Sequence, residues 1–234
     1  MKRLWSLGLG LSFVLAGPAG AQITIGTALA DGTGMLFYGG MNRIQQLYSS
    51  SLFAGTNGPI TINEIDFFHT AFQVGTGVAG WGTYTFSFST TSTTPATFSG
   101  TLANNVTGPE NVFAIVTYPY NSNADAIGGL TVIPIVGTTP FYYDPSVGNL
   151  LLDVTIPSPH ASGGDLLFDE AASPGLAYGS EADGRAGNAS EGGSGGGLVT
   201  RFDFATTAPE PSSLALLGSG LAFLIPVMSL RKRV

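Results

Sequence analysis

The chain has 234 residues and no cysteine, with 44% apolar residues that include 15 Phe, so it has material for a core but none for disulfides, thiol catalysis or thiolate metal sites. Eight Lys and Arg stand against fifteen Asp and Glu. Over 22–208 the imbalance sharpens to three arginines (Arg43, Arg185, Arg201) against fourteen acids, a formal charge of −11 that repels phosphate backbones and excludes nucleic acid as a partner.

Lys2 and Arg3 precede an apolar run from Leu4 to Leu15, which is followed by Gly17-Pro18 and by Ala19-Gly20-Ala21. A positive start, a short apolar stretch and a small-x-small site describe a secretory signal peptide over 1–21. Cleavage after Ala21 leaves Gln22 as the N-terminus. The body then runs over 22–208, a length suited to one domain.

Arg43 to Phe53 reads two ways: Ile44, Leu47, Tyr48 and Leu52 suit one helix face, and Ile44 to Tyr48 equally suits a strand. Ile60-Thr61-Ile62 opens a strand whose apolar phase slips at Asn63-Glu64 before Ile65 and Phe67, which a β-bulge explains. From Thr83 to Ser89, Tyr84, Phe86 and Phe88 alternate with Thr and Ser, the pattern of a half-buried antiparallel strand. Asn111 to Thr117 is apolar on both faces around Phe113 and Ile115, as expected of a central strand. Leu150, Leu152 and Val154 alternate with Leu151 and Asp153, and Leu198 to Phe204 alternates again. Between them, 173–197 is rich in Gly, Ala and Ser and is expected to be a long mobile loop inside the domain. Short strands separated by Gly, Asn, Pro, Ser and Thr clusters predict an all-β, antiparallel β-sandwich, jelly-roll-like in type.

Chemistry-bearing patterns are weak. Gly192 to Gly196 fits G-x-S-x-G, yet it lies in a glycine run and not on the strand-to-helix turn that a nucleophilic serine needs. His69 and His160 stand alone. Asn121, Asn123 and Asp125 begin like a calcium loop, but position six lacks glycine and position twelve is Val132. Glu64 with Asp66, or Asp165 with Asp169, offers a carboxylate pair for a glycosidase, with solvated carboxylates as the default. Trp81, Tyr118 and Tyr120 are candidate sugar contacts, because exposed aromatic faces stack on sugar rings. No catalytic residue, cofactor or metal site is expected.

The chain closes with Pro209-Glu210-Pro211, an apolar stretch over 212–230 and Arg231-Lys232-Arg233. Nothing from Leu214 to Leu230 is ionisable, and 17 helical residues reach roughly 25 Å, a short spanning segment for a core about 30 Å thick. Terminal Lys and Arg hold that end in the cytoplasm and the body outside it.

This order of tripeptide, span and basic cluster over 209–234 resembles the PEP-CTERM sorting signal of Gram-negative bacteria that make exopolysaccharide. The resemblance implies recognition in the inner membrane by an exosortase and release of the body toward the surface. Gln45-Gln46-Leu47-Tyr48, Phe141 to Pro145 and Gly148 to Asp153 are similar to stretches of the uncharacterised body domain of such proteins, which implies a fold and no chemistry. The expected function is therefore an exported non-enzymatic surface or extracellular-matrix protein, an inner-membrane intermediate with its body in the periplasm. Its expected partners are signal peptidase, exosortase and exopolysaccharide. A carbohydrate-binding module and a glycosidase are the alternatives.

Overall fold

The computed structural model describes residues 20–27, 34–35, 42–68, 82–118, 132–156, 167–182, 185–186 and 195–206. Every strand pairing among them is antiparallel. In chain order the strands are β1 Gly20–Ile25, β2 Gly34–Met35, β3 Arg43–Tyr48, β4 Ile60–Phe68, β5 Gly82–Thr91, β6 Asn111–Tyr118 and β7 Val132–Tyr143. They continue with β8 Asn149–Thr155, β9 Leu167–Phe168, β10 Glu170–Ala172, β11 Leu176–Ala182, β12 Arg185–Ala186, β13 Gly196–Leu198 and β14 Thr200–Thr206. One sheet has the order β1-β14-β4-β7 and a second the order β12-β11-β3-β8-β5-β6, with two small two-stranded sheets beside them.

The two large sheets face each other across one apolar core. Alternation supplies it: Ile62, Ile65, Phe67 and Phe202 come from the first sheet, and Phe86, Phe88 and Leu152 from the second, all at most 1% exposed. Aromatic rings meet edge-on between the layers, with Tyr48 and Phe202 centroids 5.0 Å apart at 83°. Edge-to-face pairs of this kind stabilise by about 0.5–1.5 kcal/mol beyond their buried area. Phe53, on a 3-10 turn over Ser50–Thr56, joins the same cluster against Tyr143 and Phe202.

Three local expectations change. The segment 43–53 is a strand to Tyr48 followed by that 3-10 turn, so the helix alternative is set aside. The loop expected over 173–197 contains β11, which pairs with β3 from Leu176↔Tyr48 to Glu181↔Arg43. A tertiary pairing with β3 overrides the low strand preference of Gly, Ala and Ser there. Asn111–Tyr118 is an edge strand and not a central one: Phe113 is 1% exposed but Ile115 is 58%. The bulge is present, because the β4 register slips between Ile62 and Glu64. No helix among the described residues is long and apolar enough to cross a membrane, and the span expected over 212–230 lies outside them.

The outer faces of the sheets differ. The six-stranded sheet is roofed by the segment between β5 and β6, with 3-10 turns at Pro95–Thr97 and Leu102–Asn105. Leu47, Leu151 and Ala177 form a second apolar cluster beneath it, packed by Phe98 and Val106. For that reason β5 is buried on both faces: Ser87 and Ser89 are 3% and 2% exposed, where a half-buried strand was expected. The outer face of the four-stranded sheet carries charge.

Candidate functional site

The β4 bulge decides what that charged face presents. Ile62 and Ile65 both point into the core, and the additional residue between them lets Glu64 share the outer face with Asp66. Across the ladder, Glu64 pairs with Asp203 of β14 and Asp66 with Arg201. Beyond β14, Gln22 of β1 is opposite Asp203 and Thr24 opposite Arg201. One carboxylate oxygen from each of Glu64, Asp66 and Asp203 lies within 4.8 Å of the others.

Arg201 is the cation of the cluster. Its Nε donates to Asp66 Oδ2 at 2.7 Å, its Nη2 lies 2.6 Å from the same oxygen, and Asp203 is 3.9 Å from Nε. The guanidinium also stands 5.8 Å from the centroid of the Phe68 ring, close enough for a cation–π contact. Asp66 is fully buried and its Oδ1 meets no donor. Glu64 titrates above the ordinary carboxylate value, through desolvation first and then the charge of Asp66. The hydrogen bond that its protonated form makes to Asp66, and the charge of Asp203, act the same way, while Arg201 opposes them. Three carboxylates and one guanidinium leave the cluster at −2.

A contrasting polar cluster lies on the roofed face. Arg43 Nε donates to both oxygens of Asp153 at 3.0 Å, and Gln45 Nε2 donates to Oδ2 as well. Gln45 Oε1 accepts from Asn105 Nδ2 at 3.0 Å, and Asn105 Oδ1 accepts from the Ser99 amide at 2.8 Å. Each is satisfied. On the core side of the same strand, Gln46 Nε2 donates to Leu198 O and Gln46 Oε1 accepts from Leu198 N, both at 2.8 Å. Two residues on, the Tyr48 and Thr200 hydroxyls lie 2.8 Å apart. The Gln45-Gln46-Leu47-Tyr48 stretch is thus a clamp: odd positions fasten the roof and even positions fasten the opposite sheet.

The other recurring stretch makes the passage from β7 to β8. Tyr143 hydroxyl donates to Gly148 O at 2.9 Å, Asp144 Oδ1 accepts from Ser146 N at 2.9 Å, and Asn149 bridges Ser50 N and Thr93 O. Burial pushes the Tyr143 hydroxyl well above its ordinary range. A Cβ on Gly148 would approach Thr91 O to 2.8 Å, so the close crossing needs glycine.

Of the residues singled out in the sequence, Trp81, Tyr120, His69, His160, Ala19, Asn121, Asn123, Asp125, Asp165 and the residues from Pro209 to Arg233 lie outside the described set, as does the Tyr118 side chain. Ala21 and Gln22, on either side of the expected cleavage, belong to β1. The Glu64/Asp66 pair is brought together, but Asp66 is fully buried and held by Arg201, so it is not open to a substrate as a glycosidase carboxylate must be. Sequence reasoning missed Asp203 and Arg201, whose only signal was their alternation with Phe202 and Phe204. It also missed Tyr142, which is 57% exposed beside a shallow groove lined by Asn111, Val112, Thr139, Pro140 and Phe141. No protein-family model matches the chain, and no curated protein is similar to it.

Proposed function

We propose that this is an exported, non-enzymatic surface or extracellular-matrix protein that an exosortase recognises and cleaves at its C-terminal end. The observation that carries the reading is the order of Pro209-Glu210-Pro211, the uncharged run from Leu214 to Leu230 and Arg231-Lys232-Arg233, in a chain that opens with Lys2, Arg3 and an apolar run. Signal peptidase removes 1–21, the span over 212–230 holds the intermediate in the inner membrane, and the body in the periplasm moves on to the cell surface in association with exopolysaccharide. A jelly-roll body belongs to the same proposal. It is supported by the interleaved orders β1-β14-β4-β7 and β3-β8-β5-β6, in which the chain alternates between sheets as double Greek keys do. The clamp and the roofed face support a body built to persist outside the cell without disulfides.

Intact mass of the surface-released protein tests the proposal. An N-terminus at Gln22 and loss of everything from Leu214 onward are expected. Recovery with Arg231-Lys232-Arg233 still attached would leave a plain membrane anchor instead.

A carbohydrate-binding role is a second reading, favoured by the exposed Tyr142 beside its groove. Its check is a glycan array probed with the protein and with Tyr142→Ala. Signal lost in the variant supports sugar stacking there, and an array blank for both rejects it.

A further inference from the structure

We propose that Glu64, Asp66 and Asp203 form a binding site for one divalent cation of the calcium class, on the outer face of the four-stranded sheet. Proximity of acids is not enough for that conclusion, because carboxylates crowd many acidic surfaces. The second observation is the fully buried Asp66, whose Oδ1 has no donor while Arg201 occupies Oδ2. A buried carboxylate oxygen without a partner costs about 1–3 kcal/mol, more when charged. Among the described residues only Asn42 Oδ1 shares this condition, and Asn42 is not one of the three clustered acids. Asp66 Oδ1 needs something positive, and Arg201 directs both Nε and Nη2 at Oδ2 and leaves Oδ1 without a donor.

Charge and geometry agree on the occupant. Three carboxylates less one guanidinium leave −2, which a divalent ion neutralises and a monovalent one does not. The donor set is all carboxylate oxygen, the preference of calcium, magnesium and manganese over softer metals. The oxygens lie within 4.8 Å of one another, a limit that falls inside the about 4.6–5.2 Å spanned by two calcium–oxygen bonds of about 2.3–2.6 Å placed end to end. Glu64 and Asp203 are partly exposed, so water can complete the coordination from the solvent side. The bulge at Asn63 supplies the reason for the local irregularity: an unbulged β4 would send Glu64 into the core. All four side chains lie in the described body, so the site stands or falls independently of how the chain ends are processed.

The test is calorimetric titration of the full chain, freed of metal with a chelator, using calcium chloride, magnesium chloride and manganese chloride in turn. One ion per chain is expected to bind saturably, with a dissociation constant of about 10⁻⁴–10⁻³ M, as in extracellular calcium modules. Asp203→Asn should weaken binding at least tenfold. Glu64→Gln should do the same while leaving the thermal midpoint in chelator no lower than that of the parent, because its amide supplies the donor that Asp66 Oδ1 lacks. Preference for magnesium or manganese over calcium would still support the site and identify its ion. Absence of saturable binding for all three salts up to about 10 mM, a concentration beyond the weakest modules, would overturn the proposal. So would binding that survives unchanged in both variants, because it would place the ion elsewhere.

Discussion

The outer faces of the two sheets each carry one buried aspartate held by one arginine, and the two pairs come to different ends. Asp153, under the roof of the six-stranded sheet, receives Arg43 and Gln45, and Gln45 is in turn fixed by Asn105. Asp66, on the unroofed sheet, receives Arg201 on one oxygen and nothing on the other. Residue types and burial are alike: Asp153 is 1% exposed and Asp66 0%. What differs is completeness. A polar cluster with every partner inside the protein is structural, because nothing remains for a ligand to offer. A cluster that lacks a partner keeps an unmet electrostatic demand, and it is there that a ligand gains most.

Matched isosteric substitutions give the largest expected contrast. Asp153→Asn replaces one acceptor oxygen with an amide NH2 that faces the donors of Arg43 and Gln45, and breaking a buried pair in this way costs about 3–5 kcal/mol. Asp66→Asn keeps an oxygen for Arg201 and offers an amide to Glu64, so in chelator its cost should stay under about 1 kcal/mol. Denaturant midpoints read both. Equal losses would break the comparison.

Gln46→Ala comes next. It strands the buried N–H of Leu198 and leaves the C=O with the Thr200 hydroxyl at 3.0 Å, and should lower stability by about 1–3 kcal/mol in the same titration. Tyr48→Phe removes only the hydroxyl bond to Thr200 and should cost about 1 kcal/mol. An unchanged midpoint in both variants would mean that the clamp contributes nothing to stability.

The smallest effect is one of pH. Glu64 binds its proton more tightly when folded than at its ordinary value of 4.5. Its contribution to stability is therefore fully present below that value and is lost as pH rises through the raised folded value. Asp66, Asp203 and Arg201 are the charged groups facing it. In chelator the thermal midpoint should fall as pH climbs from mildly acid to neutral, and Glu64→Gln should flatten that slope. A slope that is the same in the variant would assign it to the other acids of the body.

The sequence showed the fold better than the site. Period-two alternation in Tyr84, Phe86 and Phe88 marked one core face, and the phase slip at Asn63-Glu64 marked the bulge, because both are local consequences of which residues avoid water. Edge and centre were not legible. Ile115 reads like Phe113 in sequence, yet one faces solvent on an edge strand and the other the core. The β11 strand was hidden by its Gly, Ala and Ser composition, since its order comes from pairing with β3 and not from its own preference. In the site, Glu64 and Asp66 were visible as neighbours. Asp203 and Arg201 were not, because they are about 135 positions away and only the β4–β14 register brings them together. The role of Gln45 and Gln46 was likewise unreadable until the partners of each amide were in place.

Crystals of the protein grown in calcium chloride, measured for anomalous scattering at long wavelength, test the central claim most directly. An incomplete carboxylate cluster should hold the ion, with an anomalous peak at about 2.3–2.6 Å from oxygens of Glu64, Asp66 and Asp203. Asp153 and its partners should show none. A plain water on Asp66 Oδ1, or a rotated Arg201 that serves both of its oxygens, would contradict the account, since the cluster would then be complete without a ligand.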